Sequence, residues 1–220
     1  MSYNKNGLVL YESNNVACIC TGLKIPSTNT KTGPMAQTFI LKRNEPPSWS
    51  TKGAGCSGCP IHDACYVRWE QAPRSVYTAY KGNRYRHYSN SWEDVAMLNT
   101  HFRVGAAGEP TKVPARVWME ILGRVKSWTG YTHKWKVNNN LPFRAFSMAS
   151  VHSPREMQQA NERGWRTYRV GGGPITKHEI ECPHYTTGIQ CKDCNLCNGT
   201  ETKAKNIYAP AHGARKGKIK

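Results

Sequence analysis

Cysteine is the residue type in this sequence with the most chemistry to offer. Seven of its nine copies fall into two compact groups: Cys56-Ser-Gly-Cys59-Pro-Ile-His-Asp-Ala-Cys65, and Cys182-Pro-His followed by Cys191-Lys-Asp-Cys194-Asn-Leu-Cys197. Two residues between thiolates let both sulfurs turn toward one metal without strain, and the intervening amides can point at the sulfurs. A third cysteine at the same interval, as in Cys191, Cys194 and Cys197, wraps the chain around an object the size of a cubane, whereas a single tetrahedral zinc normally takes paired two-cysteine knuckles. That triple plus the remote Cys182 is a familiar way to hold a [4Fe–4S] cluster. A metal is therefore expected at Cys182, Cys191, Cys194 and Cys197, iron–sulfur ahead of zinc. Idle buried thiols fit this segment poorly, because Lys192, Asp193 and Asn195 make it a polar loop.

The first group supplies three sulfurs, Cys56, Cys59 and Cys65, which leaves two completions open. His62 or another side chain closes a structural zinc site, or a cluster held by three cysteines keeps one iron open, as metal catalysis requires. Cys18 and Cys20, in the alternating Val-Ala-Cys-Ile-Cys stretch, read as buried small hydrophobes. His133 is a candidate general acid/base or ligand, with a stacking place between Tyr131 and Trp135 as the alternative. His212 is placed near the terminal cysteines. Arg103, Arg144, Arg166 and Arg169 would hold an anion if they point inward at strand ends, and are solvated surface if they point out. Trp118, Trp128 and Trp165 read as core. Gly171–Gly173 is too short for a phosphate loop, and no Walker, dinucleotide, zinc-protease or nucleophile-elbow motif is present.

The elements that must position these residues are legible in part. Residues 7–20 read as two strands around Ser13-Asn14-Asn15, and 35–42 as a third. Loop-rich sequence from Asn44 to Gly58 delivers the first cysteines. Residues 66–80 suggest a helix broken near Pro73, with Tyr66, Trp69, Val76, Tyr77 and Tyr80 on its apolar side. Residues 101–108 read as a strand running into a glycine-rich turn, and Pro114–Trp128 as an amphipathic helix. Strands follow at 130–135 and 143–151. Ser153-Pro-Arg-Glu156 opens a helix ending at Gly164, then come strands at 165–170 and 206–209. This alternation indicates an α/β fold, a compact and partial (β/α) barrel-like parallel sheet with cysteine-rich metal-binding loops. Ligands in such folds lie past the strand ends, here Gly105–Glu109, Thr132–Trp135, Ser147–Ser150 and Arg169–Gly173. The expected organisation is N-terminal strands and loop (1–55), a β/α core with the first cysteines (56–180), the terminal cysteine group (181–200) and a basic tail (201–220).

Lys and Arg (31) exceed Asp and Glu (14), a net charge of +17 with a pI near 9.6. Such an excess favours a polyanionic partner, nucleic acid or nucleotide. The apolar share is 38% with a mean hydropathy of −0.67, and no run of about 18 apolar residues is present, so no membrane span is expected. The odd cysteine count and a start without a secretory apolar region argue against a disulfide framework.

As a set, several stretches resemble uncharacterised bacteriophage proteins of the mycobacteriophage gene product eighty-eight family and its relatives. They are Asn29–Gln37, the Cys56–Tyr66 loop, Arg103–Pro110 with Val113-Pro114, Gly130–Trp135, Ser147–Ser150, Gly164–Thr167, the four terminal cysteines and Ala211-His212-Gly213. That resemblance implies the cytoplasm of an infected host cell and no particular activity. A cysteine loop early in a β/α chain, then a strand ending in Gly108-Glu109-Pro110, is also similar to radical S-adenosylmethionine enzymes. This second resemblance implies a [4Fe–4S] cluster on Cys56, Cys59 and Cys65. It also places Ala107, Gly108 and Glu109 at the methionyl amine of bound S-adenosylmethionine, with Glu109 accepting a charge-assisted hydrogen bond. The cysteine spacing differs, two then five intervening residues here against three then two in those enzymes. The expectation is thus an iron–sulfur enzyme acting on nucleic acid or nucleotide; the alternative is a non-catalytic nucleic-acid-binding module with structural zinc or iron–sulfur sites.

Overall fold

The computed structural model describes residues 3–171, 173–211 and 216–218. It shows an α/β protein built on one ten-stranded, mostly parallel mixed sheet. The strands are β1 (Gly7–Glu12), β2 (Val16–Thr21), β3 (Ala36–Lys42), β4 (Arg86–His87), β5 (His101–Ala107), β6 (Ser127–Thr132), β7 (Met148–Val151), β8 (Thr167–Val170), β9 (Glu179–Glu181) and β10 (Asn206–Ala209). Their order across the sheet is β4-β1-β2-β3-β5-β6-β7-β8-β10-β9. Only β1–β2 and β2–β3 pair antiparallel; every other neighbouring pair is parallel.

Alternation along the strands sends side chains to two faces. On one face Leu8, Cys18, Cys20, Ile40, Phe102, Val104, Ala149 and Val151 pack against helices α2 (Trp92–Leu98), α3 (Ala115–Leu122) and α4 (Pro154–Glu162) through Leu98, Trp118, Ile121 and Met157. Trp118 is fully buried and donates its indole N–H to the Pro110 carbonyl at 3.0 Å. The opposite face is covered at one end by α1 (Ala72–Lys81) and Trp69, packed on Val9, Ile19, Phe39 and Leu41. At its other end Met148, Tyr168, Val170, Ile207 and Ala209 meet Cys182 and Cys197. Helices α2, α3 and α4 therefore share one face, and both cysteine segments lie against the other.

Several boundaries differ from the sequence reading. Pro73 starts α1 instead of breaking a longer helix, so Tyr66 lies outside it and is exposed while Trp69 is buried ahead of it. A proline is tolerated in the first helical turn, where its missing N–H has no intrahelical partner. Helix α3 ends at Leu122, capped at Gly123, and Trp128 belongs to β6. Residues 138–145 form 3-10 turns, which restricts β7 to Met148–Val151. The Ser153 hydroxyl caps α4 by accepting the Glu156 N–H at 3.1 Å. The Glu156 carboxylate reaches back to the His152 N–H at 2.9 Å, one residue earlier than a capping box would place it.

Candidate metal centres and the adjoining cleft

The first cysteine loop is pinned across the C-terminal ends of β3, β5 and β6. The Ala54 N–H donates to the Ile40 carbonyl, the Ala54 carbonyl accepts from the Glu109 N–H, both at 3.0 Å, and Lys134 Nζ donates to the Ser57 carbonyl at 3.1 Å. Gly108, at φ +86°, has no room for a side chain, because a Cβ there would collide with the Ile40 carbonyl. Within the loop Cys59 N–H donates to the Cys56 carbonyl (3.2 Å) and His62 N–H to the Cys59 carbonyl (3.0 Å), so the chain coils around its own sulfurs. The three thiols are half-buried and free. Burial pushes the Cys56 thiol up to about 12, against a backbone hydrogen bond from Gly53, with Cys59, Cys65 and Glu109 adding to the rise. Burial also raises Cys59, opposed by a backbone hydrogen bond from Ile61. Neutral thiols are thus favoured until a cation takes the place of the protons.

Glu109 is buried beside this loop, and its carboxylate is largely engaged. Oε1 accepts from the Thr132 hydroxyl (2.5 Å) and the Thr111 N–H (3.3 Å), and Oε2 accepts from the His133 N–H (3.1 Å). Burial raises its pKa, while those three donors hold it down. A carboxylate has about four acceptor positions, so one remains. His133 follows the end of β6. Its ring stacks on His152 with centroids 5.4 Å apart, its Nε2 is buried without a partner, and burial lowers its pKa to about 3. A neutral imidazole at that position can accept a proton or a metal but does not carry charge at neutral pH.

Next to the loop a cleft of about 510 Å3 opens, lined by Cys59–Ala64, His152, Glu156 and Lys218. It lies at the C-terminal ends of the parallel strands, as the fold class predicts. Of the four expected strand-end windows, Glu109 and Thr132–His133 are beside the cysteine loop, whereas Ser147–Ser150 falls mostly inside β7. His152 and Glu156, which sequence reasoning missed, line the cleft instead; the Ser153 cap was the signal that a strand ended just before them.

The terminal group comes together from β9, α5 (Pro183–Thr187) and α6 (Cys191–Cys194). Cys182, Cys191, Cys194 and Cys197 line one cavity with Lys31, Thr129, Tyr131 and Ile207, and the free space at its centre is about 10 Å3, the room of a single water. Burial pushes the Cys197 thiol up to about 12, and the Tyr131 hydroxyl hydrogen-bonds to it and opposes the rise. A backbone hydrogen bond from Leu196 opposes the burial that raises Cys194. Among the described residues no three Cys, His, Asp or Glu side chains converge closely enough to hold one metal ion.

The arginines are structural where a free anion site was considered. Arg169 is fully buried in a two-bond pair with Glu179 (Nε–Oε1 2.7 Å, Nη2–Oε2 2.8 Å) and also donates to the carbonyls of Gly171, Gly173 and Pro174. Arg166 donates to the carbonyls of Leu196, Gly199, Ala204 and Lys205, tying down the chain after the last cysteine. Arg144 donates to the Arg163 carbonyl at 3.2 Å. Arg103 lies between the two cysteine groups, its Nη2 2.7 Å from the Tyr66 hydroxyl. Cys18 and Cys20 are fully buried in the core, as expected. Trp118 and Trp165 are likewise buried, while Trp128 is partly buried against the same core. His212 lies outside the described residues.

No family model, curated protein or solved structure matches the chain. No helix among the described residues is long and apolar enough to cross a membrane.

Proposed function

We propose that this chain is an iron–sulfur protein of the radical S-adenosylmethionine type, with nucleic acid or nucleotide as its substrate class. In this reading Cys56, Cys59 and Cys65 hold a [4Fe–4S] cluster with one open iron, and the terminal four cysteines hold a second metal. The observation that carries it is the juxtaposition, at the C-terminal ends of the parallel strands, of three half-buried thiols, a buried carboxylate and a cleft of about 510 Å3. The cleft is of cofactor size. Helices α2, α3 and α4 on one face, and the cysteine segments with α1 on the other, would correspond to the outside and inside of a partial (β/α) barrel. When bound, the cluster would supply the electron for reductive cleavage of S-adenosylmethionine. The chain's own contribution is to bind and orient: Glu109, buried beside the cysteine loop, has one acceptor position left for an ammonium, and Cys59, His152 and Glu156 line the cleft. The +17 charge supports a polyanionic substrate.

The test is anaerobic purification with a visible spectrum, iron and sulfide counts, and incubation with S-adenosylmethionine and dithionite. Brown protein that cleaves S-adenosylmethionine is expected, and colourless protein without iron overturns the proposal. That all four terminal cysteines line one cavity supports a second reading for that group alone, a structural zinc in a nucleic-acid-binding protein, for which the thiols would have to draw closer together than they stand here. Stoichiometric zinc with binding that weakens steeply in salt would establish it.

A further inference from the structure

The stretch Asn29-Thr30-Lys31-Thr32-Gly33 has no part in the chemistry above, yet it is built against the terminal cysteines. Asn29 Oδ1 accepts from the N–H groups of Lys31 (3.1 Å) and Thr32 (2.9 Å), folding the segment into a tight turn. The turn then presents two carbonyls: that of Lys31 accepts from the Cys191 N–H at 3.0 Å, and that of Thr32 from the Lys192 N–H at 3.2 Å. Gln190 Nε2 donates to the Thr30 carbonyl across 160 residues of sequence. Gly33, at φ +72°, lets Gln190 pack where a Cβ would stand 2.6 Å from its Oε1.

This docking carries Lys31 into the wall of the thiol cavity. Its Nζ donates to the hydroxyls of Tyr168 (3.0 Å) and Tyr185 (3.1 Å), and Arg103 stands in register with Thr129, a residue of the same cavity wall. Neither cation forms an ion pair with a carboxylate among the described residues. Two cations bonded to phenols, beside four cysteines and with no carboxylate on either among the described residues, lack a negative partner there. A divalent ion or a [4Fe–4S] core bound by four thiolates supplies it, because either complex is an anion.

We infer that the Asn29–Gly33 turn is the remaining wall of the terminal metal site, and that Lys31 and Arg103 are positioning residues that neutralise its tetrathiolate charge. The inference rests on the reading that Cys182, Cys191, Cys194 and Cys197 hold a metal; it does not depend on which metal.

The experiment uses the full chain purified without oxygen. Release of its metal to excess chelator is followed, with Cys191→Ala marking the fraction that belongs to this site. Lys31→Met and Arg103→Met should each release that fraction about fivefold faster or more, and Lys31→Arg should retain it as the parent does. Stripped of metal, the Lys31→Met chain should melt close to the parent, since the complex whose charge the cation balances is then absent. Equal release rates from a loaded parent and both Met variants overturn the inference alone. So does a Lys31→Met chain that loses as much thermal stability without metal as with it, which would make the residue a structural strut. A parent chain with no metal assignable to Cys191 overturns the underlying reading and the inference with it.

Discussion

Replacing Arg169 by methionine should be among the most damaging single changes in this protein. The guanidinium and the Glu179 carboxylate are both inaccessible to solvent, and the pair spans from β8 to the edge strand β9, across β10. Methionine fills much of the space but leaves Glu179, among the described residues, with Thr176, whose N–H donates at 3.0 Å and whose side chain also bonds it, and strips the carbonyls of Gly171, Gly173 and Pro174 of this donor. Removing one partner of a buried ion pair costs about 3–5 kcal/mol, out of a total of roughly 5–15 kcal/mol for a domain. Urea denaturation at pH 7 should show a midpoint shift of that size at constant slope. Arg169 now holds the Glu179 pKa down, against the burial that raises it. In the variant only Thr176 still opposes burial, so the carboxyl takes up a proton in the folded state at a higher pH, and the deficit should shrink as pH falls toward 4. The Arg169→Met, Glu179→Leu double variant should recover part of the loss, because no buried charge is left over. A single-variant cost below about 1 kcal/mol, or a deficit independent of pH, would refute the assignment of this pair as a buried, mutually dependent unit.

Two further expectations concern the edge of the sheet. His133 is held at about 3 by burial while an unfolded chain has it near 6.5, so its effect is absent above neutrality; below pH 6.5 the unfolded state gains a proton that the folded state refuses. Stability should therefore fall by up to about 2 kcal/mol between pH 6.5 and 5, less in His133→Gln, and a variant whose pH curve parallels the parent's would contradict this. Gly108→Ala should cost at least about 2 kcal/mol and loosen the first cysteine loop from β3, read out as faster proteolysis at residues 52–58; unchanged cleavage would show that the close approach of Gly108 to Ile40 is dispensable.

Periodicity made the frame legible: the first two strands, the strand before Lys42, the stripe of α3 and the capped start of α4 were all readable, because each follows from local spacing and turn chemistry. What was hidden depends on distant partners. Edge strand β9 is three residues long and pairs only with β10, so its own sequence carries almost no signal. In β5 the register on β3 shifts, and the Thr38 hydroxyl bridges the gap by donating to the Arg103 carbonyl (3.0 Å) and accepting from the Gly105 N–H (2.8 Å). That compensation cannot be read from either strand alone. The grouping of cysteines within each cluster was legible from spacing. The placement of both clusters on one face of the sheet was not, and neither were the link through Arg103 and Tyr66 and the stacked pair of His133 with His152.

The position of β10 has a consequence for assembly. It enters the sheet between β8 and β9, and the Tyr208 carbonyl accepts the Cys182 N–H at 2.7 Å. While the chain is being synthesised from its N-terminus, β9 therefore has no neighbour to pair with until Asn206–Ala209 has emerged, and Cys182 has no fixed place. The four terminal sulfurs can be gathered only in the closing moments of folding, after the rest of the sheet is standing, so a metal of the kind proposed above, if delivered earlier, would find one corner of its site missing.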